Sequence, residues 1–272
     1  MHPILTGGGI VKNRLIIFFL ILTVIMVGGY RLTATTPAPA ANGIELNVAA
    51  AASLQDVLQE IEGIYTAKHP EVKITFNFAA CGTLSRQIAE GAPVDLFISA
   101  DVRQMDILQE QGIIIPDSRQ DLLGNDLVLI AGRNSALQGW AGLTDPTVRR
   151  ISIGAPETVP AGRYAMETLT SLKLYEQVRP KLVFAGNVRQ VLTYVQTGNA
   201  DAGLVYKSDT HHARDIRVVM IVPANLHKPI VYSMAIIKSS KNQSAIKSWA
   251  DFLTSPEART VFSKYGFIPL RR

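Results

Sequence analysis

The sequence has a single cysteine, Cys81, and little charge. Only 18% of its 272 residues are charged, below the roughly 25% typical of soluble domains. One cysteine excludes an internal disulfide, so a hydrophobic core must hold the fold even in an oxidising compartment. The 47% of residues that are hydrophobic suffice for such a core, in two modest domains or one large one.

The basic residues lack the clustering that nucleic-acid binding requires. The formal net charge is +5, but Lys12, Arg14 and Arg31 all precede the first acidic residue, Glu45. Little net charge therefore remains for the rest of the chain. There the basic residues are scattered and not interleaved with aromatic ones, so no nucleic-acid partner is expected.

Residues 1–40 have the features of a signal peptide. Lys12-Asn13-Arg14 precedes an unbroken apolar run, Leu15–Gly29, and a small-residue site follows at Ala38-Pro39-Ala40. This order predicts secretion with cleavage after Ala40. The alternative is an uncleaved anchor, because the run is long for a signal and short for a membrane span. In either case the chain from Asn42 onward is expected in the periplasm or elsewhere outside the cytoplasmic membrane, with no cysteine near the run to carry a lipid.

Hydrophobic periodicity predicts alternating strands and helices. Strands are predicted at 44–50, 72–78, 96–99, 122–131, 150–154, 181–184, 202–206, 218–222 and 230–237. Helices are predicted after Ser53, at 81–89, from 102, from Pro160 to about Leu172, at 189–197 and within 244–265. Ser53 is expected to cap the first helix, with Asp56 in a capping box. Asp101 and Asn187 are expected to cap the helices that follow them. This alternation indicates an α/β fold of parallel-rich sheets flanked by helices.

Small residues stand at the start of several predicted helices. The four turns concerned are at Ser53, Cys81, Pro160–Gly162 and Asn187–Val188. Backbone N–H groups in a first helical turn have no partner within the helix, and the helix dipole favours an anion there. One such turn is a weak signal, whereas four that converge on a cleft are far more specific. The predicted lobes are 43–125 plus 222–272 and 126–221, with crossings near Gly124–Asp126 and Ile221–Pro223.

At this point the chain resembles the periplasmic molybdate-binding proteins of ABC transporters, within the two-lobed solute-binding superfamily. The motifs that carry the resemblance are Ala49–Leu54, Gly82–Asp101, Leu122–Asn125, Val159–Gly162, Asn187–Arg189, Gly203–Asp209 and Lys264–Phe267. They cover nearly all of residues 44–270 in matching order and spacing. The resemblance implies a type II periplasmic-binding-protein fold with a ligand cleft between the lobes.

The resemblance also implies a ligand set. The family holds its oxyanion with two serine hydroxyls, backbone amides and a tyrosine hydroxyl, which fall here on Ser53, Ala161, Val188 and Tyr206, with Cys81 in place of the second serine. A thiol is the weaker donor. Molybdenum would be held as molybdate through these residues, with no direct protein–metal bond. The implied function is capture of molybdate, and of tungstate, for an ABC permease by a monomer without catalysis or an organic cofactor.

Other functions stay open from the sequence alone. The ligand could be another tetrahedral oxyanion such as sulfate, because selection among dianions depends on cavity size. An enzyme with Cys81 as nucleophile would need a histidine base. The candidates, His69, His211, His212 and His227, lie in loops without a recognisable motif or metal-ligand spacing. A third possibility is a sensory or scaffold protein tethered by an uncleaved Leu15–Gly29 helix.

Simpler structural roles also compete for the individual residues. Ser53 could be a plain helix cap, Cys81 a small buried hydrophobic residue and Tyr206 a core tyrosine. Three arginines near the predicted site, Arg86, Arg163 and Arg189, are interpreted as solvated side chains rather than partners of the anion.

Overall fold

Residues 43–270 are described by the computed structural model and form two mixed β-sheets flanked by helices. The predicted signal peptide lies outside the described residues. The strands are β1 Ile44–Ala51, β2 Val72–Ala79, β3 Leu96–Ser99, β4 Gln120–Gly124, β5 Leu127–Gly132, β6 Ile151–Gly154, β7 Leu182–Ala185, β8 Ala202–Tyr206, β9 Ile216–Ile221, β10 Val231–Ile236 and β11 Ile268–Pro269. The helices are α1 Gln55–Thr66, α2 Cys81–Ala89, α3 Val102–Glu110, α4 Pro160–Ser171, α5 Tyr175–Val178, α6 Val188–Gln196, α7 Gln243–Leu253 and α8 Pro256–Lys264.

Each sheet with its helices forms one lobe. The first sheet has the order β11-β4-β10-β3-β1-β2, and the second has the order β7-β6-β8-β5-β9. The predicted two-lobed α/β fold is therefore confirmed. The chain leaves the first sheet after β4 and returns to it with β10. The lobe limits predicted at 125/126 and 221/222 stay predictions, because strand membership fixes them only to within the connecting segments.

Parallel pairing is confined to three strands of each sheet. In the first sheet β1 pairs in parallel with β2 and β3, and in the second β6 pairs in parallel with β7 and β8. The pairings of β4, β5, β9, β10 and β11 with their neighbours are antiparallel. The sheets are thus mixed, because strands that follow a lobe crossing arrive without a crossover helix. Each parallel set directs its carboxyl ends to one edge, where α/β proteins bind ligands.

The predicted strand at 122–131 is wrong as a single element. β4 ends at Gly124 and β5 begins at Leu127, in different sheets. Residues 122–124 of β4 and 127–131 of β5 are buried, so the apolar run continues across the crossing with only the Asn125-Asp126 pair to interrupt it. Asn125 shapes this crossing, because its Oδ1 accepts a hydrogen bond from the Asp126 N–H at 2.9 Å.

The helix caps are partly as predicted. Asp101 accepts from the Arg103 N–H at 3.1 Å and Asn187 from the Gln190 N–H at 3.0 Å, which confirms both predicted caps. The capping role of Ser53, with Asp56 in a capping box, is wrong. Ser53 lies inside a 3₁₀ turn, Ala52–Leu54, and α1 begins after it without a side-chain cap. The Ser53 hydroxyl is thereby released for another contact.

Each lobe has its own apolar packing. In the first, Trp249 of α7 is fully buried and stands edge-on to Tyr65, with ring centroids 5.0 Å apart. In the second, the side chains of β5 from Leu127 to Ala131 are all fully buried. Within residues 43–270 no helix is long and apolar enough to cross a membrane.

Candidate functional site

A small cavity lies between the lobes at the carboxyl ends of the parallel strands. Its lining from the first lobe is Ala51, Ala52, Ser53, Ala79, Ala80, Cys81 and Ala100, and from the second lobe Val159, Pro160, Ala161, Asn187, Val188 and Tyr206. The cavity thus brings together all five residues that the sequence singled out. It leaves about 10 Å³ for the centre of a water molecule, which is room for roughly one water.

Backbone N–H groups supply most of the polarity of this cavity. Cys81, Ala161 and Val188 lie in the first turns of α2, α4 and α6, where the helix provides no acceptor for their amides. The dipoles of these helices add partial positive charge at the same place. None of the lining side chains is a carboxylate or a histidine. The cavity is therefore a site of donors suited to an anion.

Two hydroxyl groups border the cavity. Tyr206 is 1% exposed, and its hydroxyl has no hydrogen-bond partner among residues 43–270. Burial is also the main cause that raises the pKa of Tyr206 well above its usual value, so the phenol keeps its proton. The Ser53 hydroxyl lies 2.8 Å from the hydroxyl of Tyr232 on β10. A buried donor without an acceptor is costly, and a bound anion would satisfy that of Tyr206.

Cys81 is a neutral thiol in this setting. Its Sγ accepts a hydrogen bond from the Ala100 N–H at 3.3 Å, and burial raises the pKa of the thiol to about 11. The proton stays on sulfur at physiological pH, so Cys81 does not repel an anion as a thiolate would. A neutral thiol without a histidine at the cavity also lacks the activation that a cysteine nucleophile requires.

Three contacts join the lobes around the cavity, and the sequence analysis missed all of them. The Gly82 N–H donates to the Thr158 carbonyl at 3.0 Å. Arg163 Nη1 lies 2.8 Å from Asp101 Oδ2, an ion pair without the geometry of a directed hydrogen bond. Arg189 donates to both carboxylate oxygens of Asp56, at 3.0 and 3.3 Å.

The interpretation of Arg163 and Arg189 as solvated side chains is therefore wrong. Each pairs with a carboxylate of the opposite lobe, and this partner is far away in the sequence. Arg86 is exposed, as expected. The arginines are held by protein carboxylates rather than by the cavity, so they stabilise the closed arrangement of the lobes.

Comparison with known proteins identifies the family. The family model described as bacterial extracellular solute-binding protein matches residues 46–268. The chain belongs to this family. This solute-binding protein is 40% identical over 226 residues to YvgL of Bacillus subtilis, named provisionally as an ABC transporter substrate-binding lipoprotein, with 82% of this chain and 86% of the relative covered.

Two further similar proteins carry molybdate in their names. The molybdate-binding protein ModA of Haemophilus influenzae is 36% identical over 230 residues, with 82% of this chain and 89% of the relative covered. The solved structure of the periplasmic molybdate-binding protein of Azotobacter vinelandii has a TM-score of 0.76 and 25% identity, and the match covers 84% of this chain and all of that one.

Gly82 limits how closely the lobes of the solute-binding protein can approach. A Cβ at this position would lie 2.9 Å from Thr158 Cα, closer than side chains tolerate. We expect Gly82→Ala to prevent full closure and to weaken anion binding about tenfold, because overpacking costs roughly 1–3 kcal/mol. Titration calorimetry measures the loss. Gly63→Ala on α1, where a Cβ meets nothing within 4 Å, should bind like the wild type; equal losses in both variants would contradict the steric explanation.

A buried carboxyl group lies beside the site. Asp209 is 1% exposed; its Oδ2 accepts from the Tyr206 N–H at 3.0 Å, while its Oδ1 has no partner among the described residues. Burial raises the pKa of Asp209 to about 7, against the opposing effect of Arg189. The native state therefore binds more protons than the unfolded state between about pH 4 and pH 7.

We expect this group to make the protein less stable as the pH rises through that window. Asp209→Asn removes the ionisation. The free energy of unfolding of the variant minus that of the wild type should therefore increase from pH 4 to pH 8. The gain is at most about 4 kcal/mol, from a shift of roughly three pKa units. Urea unfolding at both pH values measures it. Parallel pH curves for the two proteins would show that Asp209 does not titrate in this way.

Proposed function

We propose that the protein captures molybdate, and tungstate, in the cavity between its lobes and delivers it to the membrane permease of an ABC transporter. The observation that carries this proposal is the buried Tyr206 hydroxyl, which has no hydrogen-bond partner among the described residues, in a cavity whose lining has donors but no carboxylate. Burying a charged ligand requires that its oxygens find donors. The names of the molybdate-binding relatives support the choice of anion.

A lining of donors favours an anion that carries no proton of its own. Molybdate, tungstate and sulfate are fully deprotonated near neutral pH and need only donors. Phosphate keeps a proton and would need an acceptor, which no carboxylate provides here. Ser53, Cys81, Ala161, Val188 and Tyr206 are the proposed ligand residues, and molybdenum would contact the protein only through the oxygens of the anion.

Capture proceeds by closure of the lobes about the two crossings between the sheets. A tetrahedral oxyanion is larger than the roughly one water for which the cavity has room, so the donors must spread slightly around it while the lobes stay in contact. The closed form, held by the Asp101–Arg163 and Asp56–Arg189 pairs, is then the form that the permease recognises. We further propose a monomer outside the cytoplasmic membrane, exported by residues 1–40, with no catalysis and no organic cofactor.

Calorimetric titration tests this function. The protein, purified from cells that express the full chain, is titrated with molybdate, tungstate, sulfate and phosphate in turn. We expect tight one-to-one binding of molybdate and tungstate, weaker binding of sulfate and the weakest binding of phosphate. A preference for sulfate would keep the mechanism and change the substrate. Folded protein that binds none of the four anions would exclude an oxyanion receptor.

A further inference from the structure

A chain of hydrogen bonds connects the Ser53 hydroxyl at the cavity to the crossing between the lobes. The Tyr232 hydroxyl lies 2.8 Å from Ser53 Oγ and 3.2 Å from Asn125 Nδ2. Asn125 Nδ2 also donates to Ser208 Oγ at 2.9 Å. Tyr232 is fully buried and Asn125 is 7% exposed. The chain therefore runs through the protein interior, where each donor requires an acceptor.

The direction of the bonds at the Asn125 end of this chain is determined. Asn125 Oδ1 accepts a hydrogen bond from the Asp126 N–H at 2.9 Å. A flipped amide would instead place the Asn125 NH₂ group against the Asp126 N–H, so that two donors would face each other. Asn125 Nδ2 must then donate its two hydrogens, one to Ser208 and one to Tyr232. The Tyr232 hydroxyl has only Ser53 left as an acceptor among the described residues.

The direction of the bond between Ser53 and Tyr232 depends on what occupies the cavity, because either hydroxyl can donate at 2.8 Å. With an anion present to accept the Ser53 proton, both hydroxyl protons are satisfied only when Tyr232 donates to Ser53 Oγ. Ser53 lines the cavity, so its O–H is left to donate to whatever occupies the cavity.

We propose that Tyr232 is a positioning residue that fixes Ser53 as a hydrogen-bond donor toward the bound oxyanion. The inference rests on the proposed function. By occupying the acceptor side of Ser53, Tyr232 also denies a protonated anion the acceptor that it would need. Tyr232 thus contributes to the discrimination between molybdate and phosphate without lining the cavity itself.

A double-mutant cycle tests the proposal. Ser53→Ala, Tyr232→Phe and the double variant are compared with the wild type by calorimetric titration with molybdate. Ser53→Ala should weaken binding about tenfold and Tyr232→Phe about threefold, since the serine stays but its proton is no longer oriented. If Tyr232 acts through Ser53, adding Tyr232→Phe to Ser53→Ala costs nothing further. The ratio of molybdate affinity to phosphate affinity should also fall in Tyr232→Phe.

Tyr65→Phe is the matched control. Tyr65 is a buried tyrosine of the same lobe whose hydroxyl donates to a serine, Ser248, at 3.1 Å, but it lies outside the cavity lining. This variant should keep wild-type affinity and the wild-type anion ratio. A threefold loss from Tyr232→Phe that persists in the Ser53→Ala background would overturn the proposal, and so would an unchanged anion ratio, because both indicate a purely structural tyrosine.

Failure of the inference is distinguishable from failure of the proposed function. If the wild type does not bind molybdate, the proposed function fails and the inference fails with it. If the wild type binds but the cycle is additive, only the inference fails. Should Tyr232→Phe not fold, Asn125→Asp reverses the chain, because the new carboxylate accepts the Tyr232 proton. Its added charge acts in both backgrounds, so a greater loss when Ser53 is present supports the proposal and an equal loss overturns it.

Discussion

Tyr206→Phe is expected to weaken molybdate binding by roughly 10- to 150-fold, the range for loss of one hydrogen bond to a charged group. The same substitution should leave the ligand-free protein as stable as before, or more stable. Its hydroxyl has no partner among the described residues, so removing it relieves an unpaired buried donor. Calorimetric titration and thermal unfolding without ligand measure the two effects.

The opposite signs of these effects distinguish a ligand residue from a core residue. For a tyrosine that only stabilises the fold, the phenylalanine variant would lose stability and keep its affinity. Tyr65→Phe should show that behaviour, because it loses the hydrogen bond to Ser248. Its unfolding temperature should fall while its affinity for molybdate stays unchanged. Retained affinity in Tyr206→Phe would remove Tyr206 from the proposed ligand set.

Arg163→Met is expected to weaken molybdate binding about 150-fold. In the closed form the side chain of Asp101 is 3% exposed and faces Arg163, and removal of one partner of a buried pair costs roughly 3–5 kcal/mol. Arg103 Nε lies 3.5 Å from the same carboxylate oxygen and partly replaces the lost positive charge. We therefore expect a cost at the lower end of this range, about 3 kcal/mol. When the lobes part, water reaches Asp101, and the cost therefore falls on closure rather than on folding.

The controls for Arg163→Met use the same residue types. Arg119→Met breaks a pair with Asp106 that lies within the first lobe and should leave affinity unchanged. Asp101→Asn keeps a good helix-capping residue on α3 and removes the carboxylate charge that Arg163→Met leaves unpaired. Added to Arg163→Met, it should therefore restore much of the lost affinity. Equal losses from Arg119→Met and Arg163→Met would show that the Asp101 pair does not control closure.

Much of the fold is encoded locally and could be predicted from the sequence. Asp101 and Asn187 cap the helices that follow them because the cap acceptor and its N–H donors are only two or three residues apart. The strands β3 and β8 have the predicted bounds because each is a short apolar run between turns. The five proposed site residues meet at one cavity because parallel strands bring their carboxyl ends to the same edge.

The remaining features depend on contacts between distant parts of the chain. Ser53 has the residue type and position of a helix cap, but its hydroxyl turns to Tyr232, 179 positions away. The role of Arg189 depends on Asp56, 133 positions away. Gly82 is ordinary in the sequence and is required only because Thr158 of the other lobe lies against it. Motif spacing cannot report these contacts.

The wall of alanines around the cavity has a consequence for how affinity is set. Ala51, Ala52, Ala79, Ala80, Ala100 and Ala161 line the cavity, and alanine has no side-chain rotamers to restrict when a ligand binds. The lining therefore contributes almost no conformational entropy loss, and most of the ordering occurs where the two lobes come to rest against each other. Exchanges far from the anion that shift the balance of open and closed forms should consequently adjust affinity as finely as exchanges in the wall itself.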